Sequence, residues 1–264
     1  MESPKIDYIQ SKDNKTIKHI ISLQQRKYRQ KFGEYTVEGS RAVTDIGKKD
    51  FLRSILIRES KRSELEPLVQ KGFTVSSVYV VQDPIFDKIE HSVNGQGILG
   101  IAKKCVNDLH SLIVEDGLYV ALDGVQDPGN LGTIIRTAVA AGAKGIFLLK
   151  GTVDPYNAKC VRSTLSGLCN ITIFEDVTLS EFYDFIKDNT IKTYVTSLEN
   201  AKPYHTISYP KRTMIILGNE GNGVSREIIE MCDQAITIPM YGDIESLNVS
   251  IAAALCMYKV REQI

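Results

Sequence analysis

The sequence has no long hydrophobic run and few of the residues that build metal sites or disulfides. No segment approaches the roughly 18 consecutive apolar residues of a membrane-spanning helix, and residues 1–15 lack the apolar centre of a signal peptide. The five cysteines include no C-x-x-C pair, and the four histidines are scattered. These absences predict a cytoplasmic protein that keeps its cysteines reduced and holds no metal ion.

Net charge is also absent, because 32 basic residues balance 32 acidic ones, so the chain as a whole does not attract nucleic acid. The charge is unevenly distributed, however. Residues 1–31 hold eight lysines and arginines against three acids, with Tyr28 and Phe32 interleaved. A basic helix of this kind suits a phosphate backbone, although a solvated helix face shows the same pattern.

The first 104 residues predict a small α/β domain. Apolar residues at helical spacing over 14–31 predict a helix capped by Asn14, and "SRAVTDIGKK" predicts a short helix capped by Ser40. Strands are expected at "GEYTVEG", "SILIRE", "FTVSSVYVV" and "QGILGIAKKC". Residues 105–116 are expected to form an exposed linker.

Residues 117–264 predict a second α/β domain with a mostly parallel sheet. Continuously apolar strands ("LYVALDGV", "GIFLLK", "ITIFED", "KTYVTSL", "TMIILG", "QAITIP") alternate with helices that should start near Leu131, Ala158, Leu179, Ser225 and Leu247. Such strands belong to sheets covered on both faces, where ligands bind at the carboxyl ends of strands. Every Gly/Asn-rich stretch of this half falls at such an end.

The first of these stretches is "LDGVQDPGNLGTIIRTA", residues 122–138. Pro128 and Gly129 predict a tight turn, and Asn130 is the expected N-cap of the following helix. Helical side chains lean toward the N-terminus, so Arg136 should point back to the loop past Gly132. The alternative is an arginine that covers apolar surface beside a glycine placed for packing.

The second stretch is "ILGNEGNGVSRE", residues 216–227, with glycines at 218, 221 and 223. The order G-x-x-G-x-G is not the dinucleotide fingerprint, and Val224 stands where a phosphate-binding loop needs lysine. What remains is a backbone-exposing loop with one acid, Glu220, or an ordinary glycine turn.

The third stretch, residues 237–260, ends a strand at Ile238 and Pro239 and places Ser246 and Asn248 at the start of a helix. From Val249 that helix is apolar nearly all round, so it should be buried on more than one side. A second subunit is the economical partner for the side that the sheet does not cover.

These three stretches resemble the motifs of the SpoU (TrmH-type) RNA ribose methyltransferases of the SPOUT superfamily. The matching residues are Asn130, Gly132 and Arg136; Gly218, Glu220, Gly221 and Gly223; and Ile238-Pro239-Met240 with Ser246-Leu247-Asn248. "DPYNAKCVRSTLSG" (154–167) resembles a further family segment, and "RKYRQKFGEYTVEG" (26–39) resembles the fused substrate-binding domain. The latter is similar to small ribosomal proteins that bind kinked RNA.

The resemblance implies a deep trefoil knot, a homodimer through the C-terminal helix, and S-adenosylmethionine as cofactor. The implied cofactor contacts are Thr196, Leu217, Gly218, Glu220, Gly223, Ile238, Met240, Ser246 and Leu247. The implied RNA contacts are Lys12, Lys18, Arg26, Lys27, Arg29 and Arg41.

The implied reaction is in-line transfer of the sulfonium methyl group to a ribose 2′-hydroxyl, which depends largely on alignment. The implied catalytic residues are Arg136, Asn130, Glu220, Ser246 and Asn248. Arg136 has been proposed as a base in this family, but guanidinium stays protonated, so we expect it to orient the nucleotide and stabilise the developing alkoxide. Glu220 is expected to hold Arg136 in its rotamer.

Ribosomal RNA is the expected substrate by analogy of domain order. The alternatives are a transfer-RNA 2′-O-methyltransferase, a thiostrepton-type resistance enzyme, and a catalytically silent RNA-binding or ribosome-assembly protein.

Overall fold

The structure, a computed structural model, describes residues 6–72, 75–92 and 95–264. The chain forms two units: residues 1–104 with 156–169, and residues 105–155 with 170–264. The first unit thus includes a segment from within the stretch predicted as the second domain. Lys5, part of the basic N-terminal stretch, and residues 73–74, the predicted start of one strand, lie outside the described residues.

The first unit contains one five-stranded sheet in its described part. Its strands are β1 (Ile6–Ile9), β2 (Glu34–Glu38), β3 (Leu52–Arg58), β4 (Ser77–Val81) and β5 (Ile98–Lys103). Its helices are α1 (Lys15–Ser22), α2 (Arg26–Phe32), α3 (Ser40–Gly47), α4 (Leu65–Val69), α5 (Asp83–Phe86) and α7 (Ala158–Thr164), with 3₁₀ turns at Glu59–Glu64 and Gly167–Cys169. The strand order is β1-β4-β3-β5-β2, and β5 runs antiparallel to both of its neighbours.

Two helix predictions in this unit need correction. The single helix expected over 14–31 is two helices, because the chain turns at Leu23, whose N–H bonds back to the last carbonyls of α1. Asn14 caps α1 as expected, through a bond from the Thr16 N–H of 2.8 Å. Ser40 is not the cap of α3; Gly39, at φ +92°, occupies that position, since glycine adopts this backbone conformation without strain.

The second unit contains a parallel sheet of seven strands in its described part. Its strands are β6 (Gly117–Leu122), β7 (Gly145–Leu149), β8 (Thr172–Val177), β9 (Lys192–Thr196), β10 (Lys202–Pro203), β11 (Arg212–Leu217) and β12 (Gln234–Thr237). Its helices are α6 (Pro128–Ala140), α8 (Leu179–Asp188), α9 (Arg226–Met231) and α10 (Val249–Arg261), with 3₁₀ turns at Leu109–Ser111 and Tyr204–Thr206. The strand order is β10-β12-β9-β11-β6-β7-β8.

The central strands of this sheet are buried along their whole length, as their continuous apolar sequence predicts. Every residue of β6 and β7 is buried, and every strand pairing in the sheet is parallel. On one face Phe147 packs against the rings of Phe174, Phe182 and Phe185. This core fixes β6, β11 and their neighbours, and with them the positions of the loops at their carboxyl ends.

Helix α10 is covered on one side only. Ala253, Cys256 and Met257 are fully buried, and the helix packs on α6 and β11. Ile251 and Tyr258 are half exposed, at 51% and 49%, on a different face. One side of α10 is thus covered within the chain, and the expected burial of the other side by a second subunit stays a prediction.

Candidate functional site

Three loops at the carboxyl ends of neighbouring strands meet in the second unit. They follow β6 (residues 123–127), β11 (218–225) and β12 (238–248). Asn219 Nδ2 donates to the Gly124 carbonyl at 2.9 Å, and the Ser225 N–H donates to the Asp123 carboxylate at 2.7 Å. The first two loops are thus joined by hydrogen bonds.

Glu220 makes further bonds between the same two loops. Its carboxylate accepts the Asn130 side-chain amide at 2.9 Å and the N–H groups of Gln126 and Asp127, both at 3.2 Å. Partial burial alone would raise the pKa of Glu220, but these hydrogen bonds outweigh it and bring that pKa below its ordinary value. Glu220 is therefore ionised at neutral pH and accepts three hydrogen bonds from residues 126–130.

The third loop joins this network through Asn248. Its Nδ2 donates to Asn130 Oδ1 at 3.0 Å, while its Oδ1 accepts the Ser250 N–H at 2.9 Å and so caps α10. Asn130 consequently stands between Glu220 and Asn248. Three of the five predicted catalytic residues form one hydrogen-bonded chain.

The start of α6 differs from the prediction. The helix begins at Pro128, and its N-cap is Asp127, whose side chain accepts the Asn130 N–H at 2.8 Å. Proline suits the first helical position because the N–H that it lacks would have no partner there. Asn130 lies inside the first turn, which leaves its side chain free to bridge Glu220 and Asn248.

Gly218 allows the second loop to fold back on itself. A Cβ added at this position would lie 2.1 Å from the carbonyl carbon of Gly223 and 2.2 Å from Val224 N. Gly223 has φ +69°, and its N–H and C=O both bond to the backbone of Asn219. Only glycine fits at 218.

A cleft of about 1160 Å³ lies along the second and third loops. Its walls combine residues 217–219, apolar residues of the third loop, and acids such as Glu199 and Glu245. Every residue predicted as a cofactor contact lines this cleft: Thr196, Leu217, Gly218, Glu220, Gly223, Ile238, Met240, Ser246 and Leu247. The mixture suits a ligand with one apolar and one positively charged end.

Arg136 does not join this network. It is exposed on α6, and within residues 6–72, 75–92 and 95–264 its side chain makes no hydrogen bond or ion pair. The expected contact with Glu220 is absent, because that carboxylate bonds to Asn130 and the 126–127 backbone instead. Ser246 is exposed and lines the cleft.

The predicted RNA contacts in the first unit divide into exposed and buried residues. Lys12, Lys18, Arg26, Lys27 and Arg41 are exposed. Arg29 is only 5% exposed, and its Nη1 donates to the carbonyls of Leu23 and Gln24 at 2.7 and 2.8 Å. Its expected role in RNA contact is therefore corrected to a structural one, closing the turn between α1 and α2.

Sequence reasoning missed the residue that organises the second loop. Asn219 Oδ1 accepts the N–H groups of Gly221 and Asn222, while its amide reaches the first loop. Asn219 directly follows Gly218 at the end of a strand, and an asparagine next to a glycine at such a place is itself a turn signal.

The described residues contain no cluster of three or more His, Cys, Asp or Glu side chains that could hold a metal ion. They also contain no helix that is long and apolar enough to cross a membrane. The cysteines are free thiols, and burial raises the pKa of Cys256 to about 12.

Comparison with known proteins decides the family. The family model for SpoU rRNA methylases matches residues 117–258, more than half of the chain. The chain belongs to the SpoU rRNA methylase family. Residues 14–100 match the MRM3-like substrate binding domain.

Individual relatives match along nearly the whole chain. The 23S rRNA (guanosine(2553)-2′-O)-methyltransferase RlmP of Bacillus subtilis is 32% identical over 256 residues, covering 96% of this chain and 98% of its own. An uncharacterized tRNA/rRNA methyltransferase of Synechocystis sp. is 28% identical, covering 97% and 93%. The crystal structure of an AdoMet-bound rRNA methyltransferase from Sinorhizobium meliloti is 29% identical, with a TM-score of 0.86 and coverage of 97% and 98%.

These similarities confirm the predicted family and its α/β fold. They also confirm that this SpoU protein is a methyltransferase and that its cofactor is S-adenosylmethionine.

Proposed function

We propose that this SpoU protein methylates a ribose 2′-hydroxyl of 23S ribosomal RNA, with the cofactor in the cleft along the second and third loops. The observation that carries the proposal is the single cleft that all nine predicted cofactor contacts line, while Asn130 of the first motif is hydrogen-bonded to Glu220 and Asn248, which also line it. The full-length relative from B. subtilis, named as a 23S rRNA 2′-O-methyltransferase, supports the choice of RNA.

The residues of the cleft fit S-adenosylmethionine. Ile238, Met240 and Leu247 supply apolar surface for an adenine ring. Glu199 and Glu245 supply negative charge for the ammonium and sulfonium groups. When bound, the cofactor supplies an electrophilic methyl group.

The protein's own contribution is positioning and charge. The Asn248–Asn130–Glu220 chain fixes the start of α6, the second loop and the start of α10 relative to one another. Arg136, which lacks a protein partner among the described residues, offers its guanidinium to a substrate phosphate or to the acceptor oxygen as that oxygen loses its proton. Guanidinium does not accept the proton, which passes to solvent or to an RNA group.

We further propose that the active form is a homodimer through α10. The half-exposed Ile251, Leu255 and Tyr258 lie at i, i+4 and i+7, so they form one apolar stripe. Beside it, Tyr204, Met240 and Ile244 line an apolar groove of about 520 Å³. The family likeness also supports the predicted C-terminal trefoil knot and a cytoplasmic location.

The reaction is tested by methyl transfer from radiolabelled S-adenosylmethionine to 23S rRNA, followed by mapping of the nucleotide whose 2′-O-methyl group blocks alkaline cleavage. We expect one 23S nucleotide to be labelled in vitro. The same nucleotide should lack its 2′-O-methyl group in RNA from cells without the gene. Label confined to transfer RNA would contradict the substrate, and absence of S-adenosylmethionine binding would contradict the whole proposal. Sedimentation equilibrium tests the dimer, which Leu255→Glu should dissociate.

A further inference from the structure

Helix α2 displays two aromatic rings side by side. Tyr28 and Phe32, one helical turn apart, have nearly parallel rings, with centroids 6.1 Å apart and planes inclined by 12°. Phe32 is 41% exposed although it is fully apolar. We call these two residues the α2 aromatic pair. An exposed ring in register with a second one needs an explanation beyond core packing.

A lysine precedes each ring in the sequence and lies over it. Lys27 Nζ is 4.8 Å from the Tyr28 centroid, and Lys31 Nζ is 5.5 Å from the Phe32 centroid. Neither lysine pairs with a carboxylate in the described part of the chain, and Lys27 is exposed. Their charges are therefore available to an anionic ligand.

The Phe32 ring is held from behind. His19 packs edge-on against it, with centroids 4.7 Å apart and planes inclined by 70°. His19 Nε2 lies 2.7 Å from the Glu34 carboxylate, which also pairs with Arg53 at 2.8 Å. These contacts hold the ring in place while the Phe32 side chain stays 41% exposed.

An exposed aromatic beside a lysine is not by itself a binding site, and α8 provides the comparison. Tyr183 there is 43% exposed with Lys187 Nζ 5.7 Å from its centroid. No second parallel ring lies beside it among the described residues, whereas the α2 aromatic pair lies in a helix, Arg26–Phe32, that also carries Lys27 and Lys31. The combination of paired rings and unneutralised lysines distinguishes α2.

We propose that the α2 aromatic pair is a stacking platform for an unpaired base of the RNA substrate, with Lys27 and Lys31 binding the flanking phosphates. The inference rests on the proposed function, because it takes RNA as the substrate. Stacking on aromatic rings tolerates any base, and backbone contacts add affinity that depends on salt. This platform therefore recognises single-stranded RNA, whose bases are free to stack, in preference to a duplex.

The test uses a single-stranded RNA of about 12 nucleotides, within the span of known single-strand sites, with 2-aminopurine at its centre. Stacking on an aromatic side chain quenches the fluorescence of 2-aminopurine. We expect the full-length protein to quench the probe, Phe32→Ala to abolish quenching and weaken binding about tenfold, and Phe32→Tyr to restore both. The matched control Tyr183→Ala should behave as wild type.

Two further measurements make the result specific. Lys31→Gln should keep the quenching but reduce the slope of log affinity against log salt by about 0.7, the value for one phosphate of a single strand. Annealing the probe to its complement should remove the difference between wild type and Phe32→Ala. Thermal unfolding shows whether Phe32→Ala and Phe32→Tyr are folded. If Phe32→Ala is not folded, quenching and affinity in Phe32→Tyr test the platform.

Unchanged quenching and affinity in Phe32→Ala would overturn the platform. Full RNA binding in vitro combined with loss of methylation in cells carrying Phe32→Ala would indicate a protein partner on this face and would also overturn it. S-adenosylmethionine binding and methyl transfer are measured on the same preparations. An active enzyme without quenching refutes the platform alone, whereas quenching by a protein that transfers no methyl group refutes the proposed function alone.

Discussion

The loops of the second unit and the basic helices of the first unit are built in opposite ways. In the loops, polar side chains bond to one another or to backbone, as Asn219, Glu220 and Asn248 do. On α2, Lys27 and Lys31 have no carboxylate partner among the described residues. The ammonium group of each instead lies over an aromatic ring. A small cofactor needs a preorganised pocket, whereas a flexible polyanion is bound by charges that remain available.

Arg136 is the sharpest test, because it lies on the helix that the anchored loops support and yet has no partner in the part of the chain that the structure describes. Arg136→Ala should reduce methyl transfer by roughly 10²–10³, the loss typical of removing one stabiliser of a developing oxyanion. Affinity for S-adenosylmethionine, measured by calorimetry, should not change. Arg136→Lys should recover part of the rate, because it keeps the charge but not the bidentate geometry. Loss of cofactor binding in either variant would instead place Arg136 in the pocket.

Gly218→Ala should disrupt the second loop, which belongs to the hydrogen-bonded part of the molecule. The added methyl group would lie about 2 Å from backbone atoms of Gly223 and Val224, which cannot move without opening the second loop. Overpacking costs roughly 1–3 kcal/mol, and contact with backbone belongs at the upper end, so S-adenosylmethionine binding should weaken about 100-fold.

A matched glycine serves as the control for that variant. At Gly242, in the third loop, an added Cβ meets nothing within 4 Å, so Gly242→Ala should bind the cofactor normally. RNA affinity should be unchanged in both variants. Equal cofactor affinity in the two variants would show that the second loop accommodates the added methyl group and is less rigid than its hydrogen bonds suggest.

Arg29 and Lys27 test the distinction within one short helix. Arg29→Met leaves the carbonyls of Leu23 and Gln24 without their charged donor, which should lower the free energy of unfolding by about 2 kcal/mol in urea denaturation. Lys27→Gln should leave stability unchanged but weaken RNA binding and its salt dependence. The reverse assignment would return Arg29 to the RNA-binding surface.

Glu220 should show the smallest effect and a defined pH dependence. Glu220→Gln keeps one acceptor but loses the charge, so cofactor affinity should fall several-fold, as for loss of about one hydrogen bond. Because the folded-state pKa lies below the ordinary 4.5, the stabilisation from ionised Glu220 is fully present above pH 4.5 and is lost as pH falls through the folded-state value. The stability difference between wild type and Glu220→Gln should therefore be constant from pH 7 to about 5 and shrink below that. A difference that grows on acidification would contradict this direction.

The general architecture of the second unit could be predicted because its signal is strong. Continuously apolar strands such as β6 and β7 are buried on both faces, and the parallel sheet follows from that burial. The edge strand β1 was not predicted, since Ile6 and Tyr8 are half exposed and its four residues carry no clear alternation. Strand β10 is only two residues long and carries no signal of its own.

Local caps and individual contacts were harder to predict, because neighbouring residues compete for the same role. Asp127, Asn130 and Ser40 are all good cap residues by type. At α6, Pro128 occupies the first helical position, so Asp127 is the N-cap. At α3, Gly39 with its positive φ is the N-cap, so Ser40 lies inside the helix. The residues that line the cleft could be predicted from the motifs. The partner of Glu220 could not, because its charge favours Arg136 whereas the folded loops place Asn130 within hydrogen-bonding distance.

The discontinuity of the first unit bears on the order in which the chain folds. Tyr156 is 2% exposed and packs against the buried ring of Tyr35, with centroids 4.8 Å apart, so residues 156–169 contribute to the interior of that unit. A ribosome that has released only residues 1–104 has not yet supplied this piece. Completion of the amino-terminal unit must therefore wait until part of the methyltransferase sheet has also been synthesised.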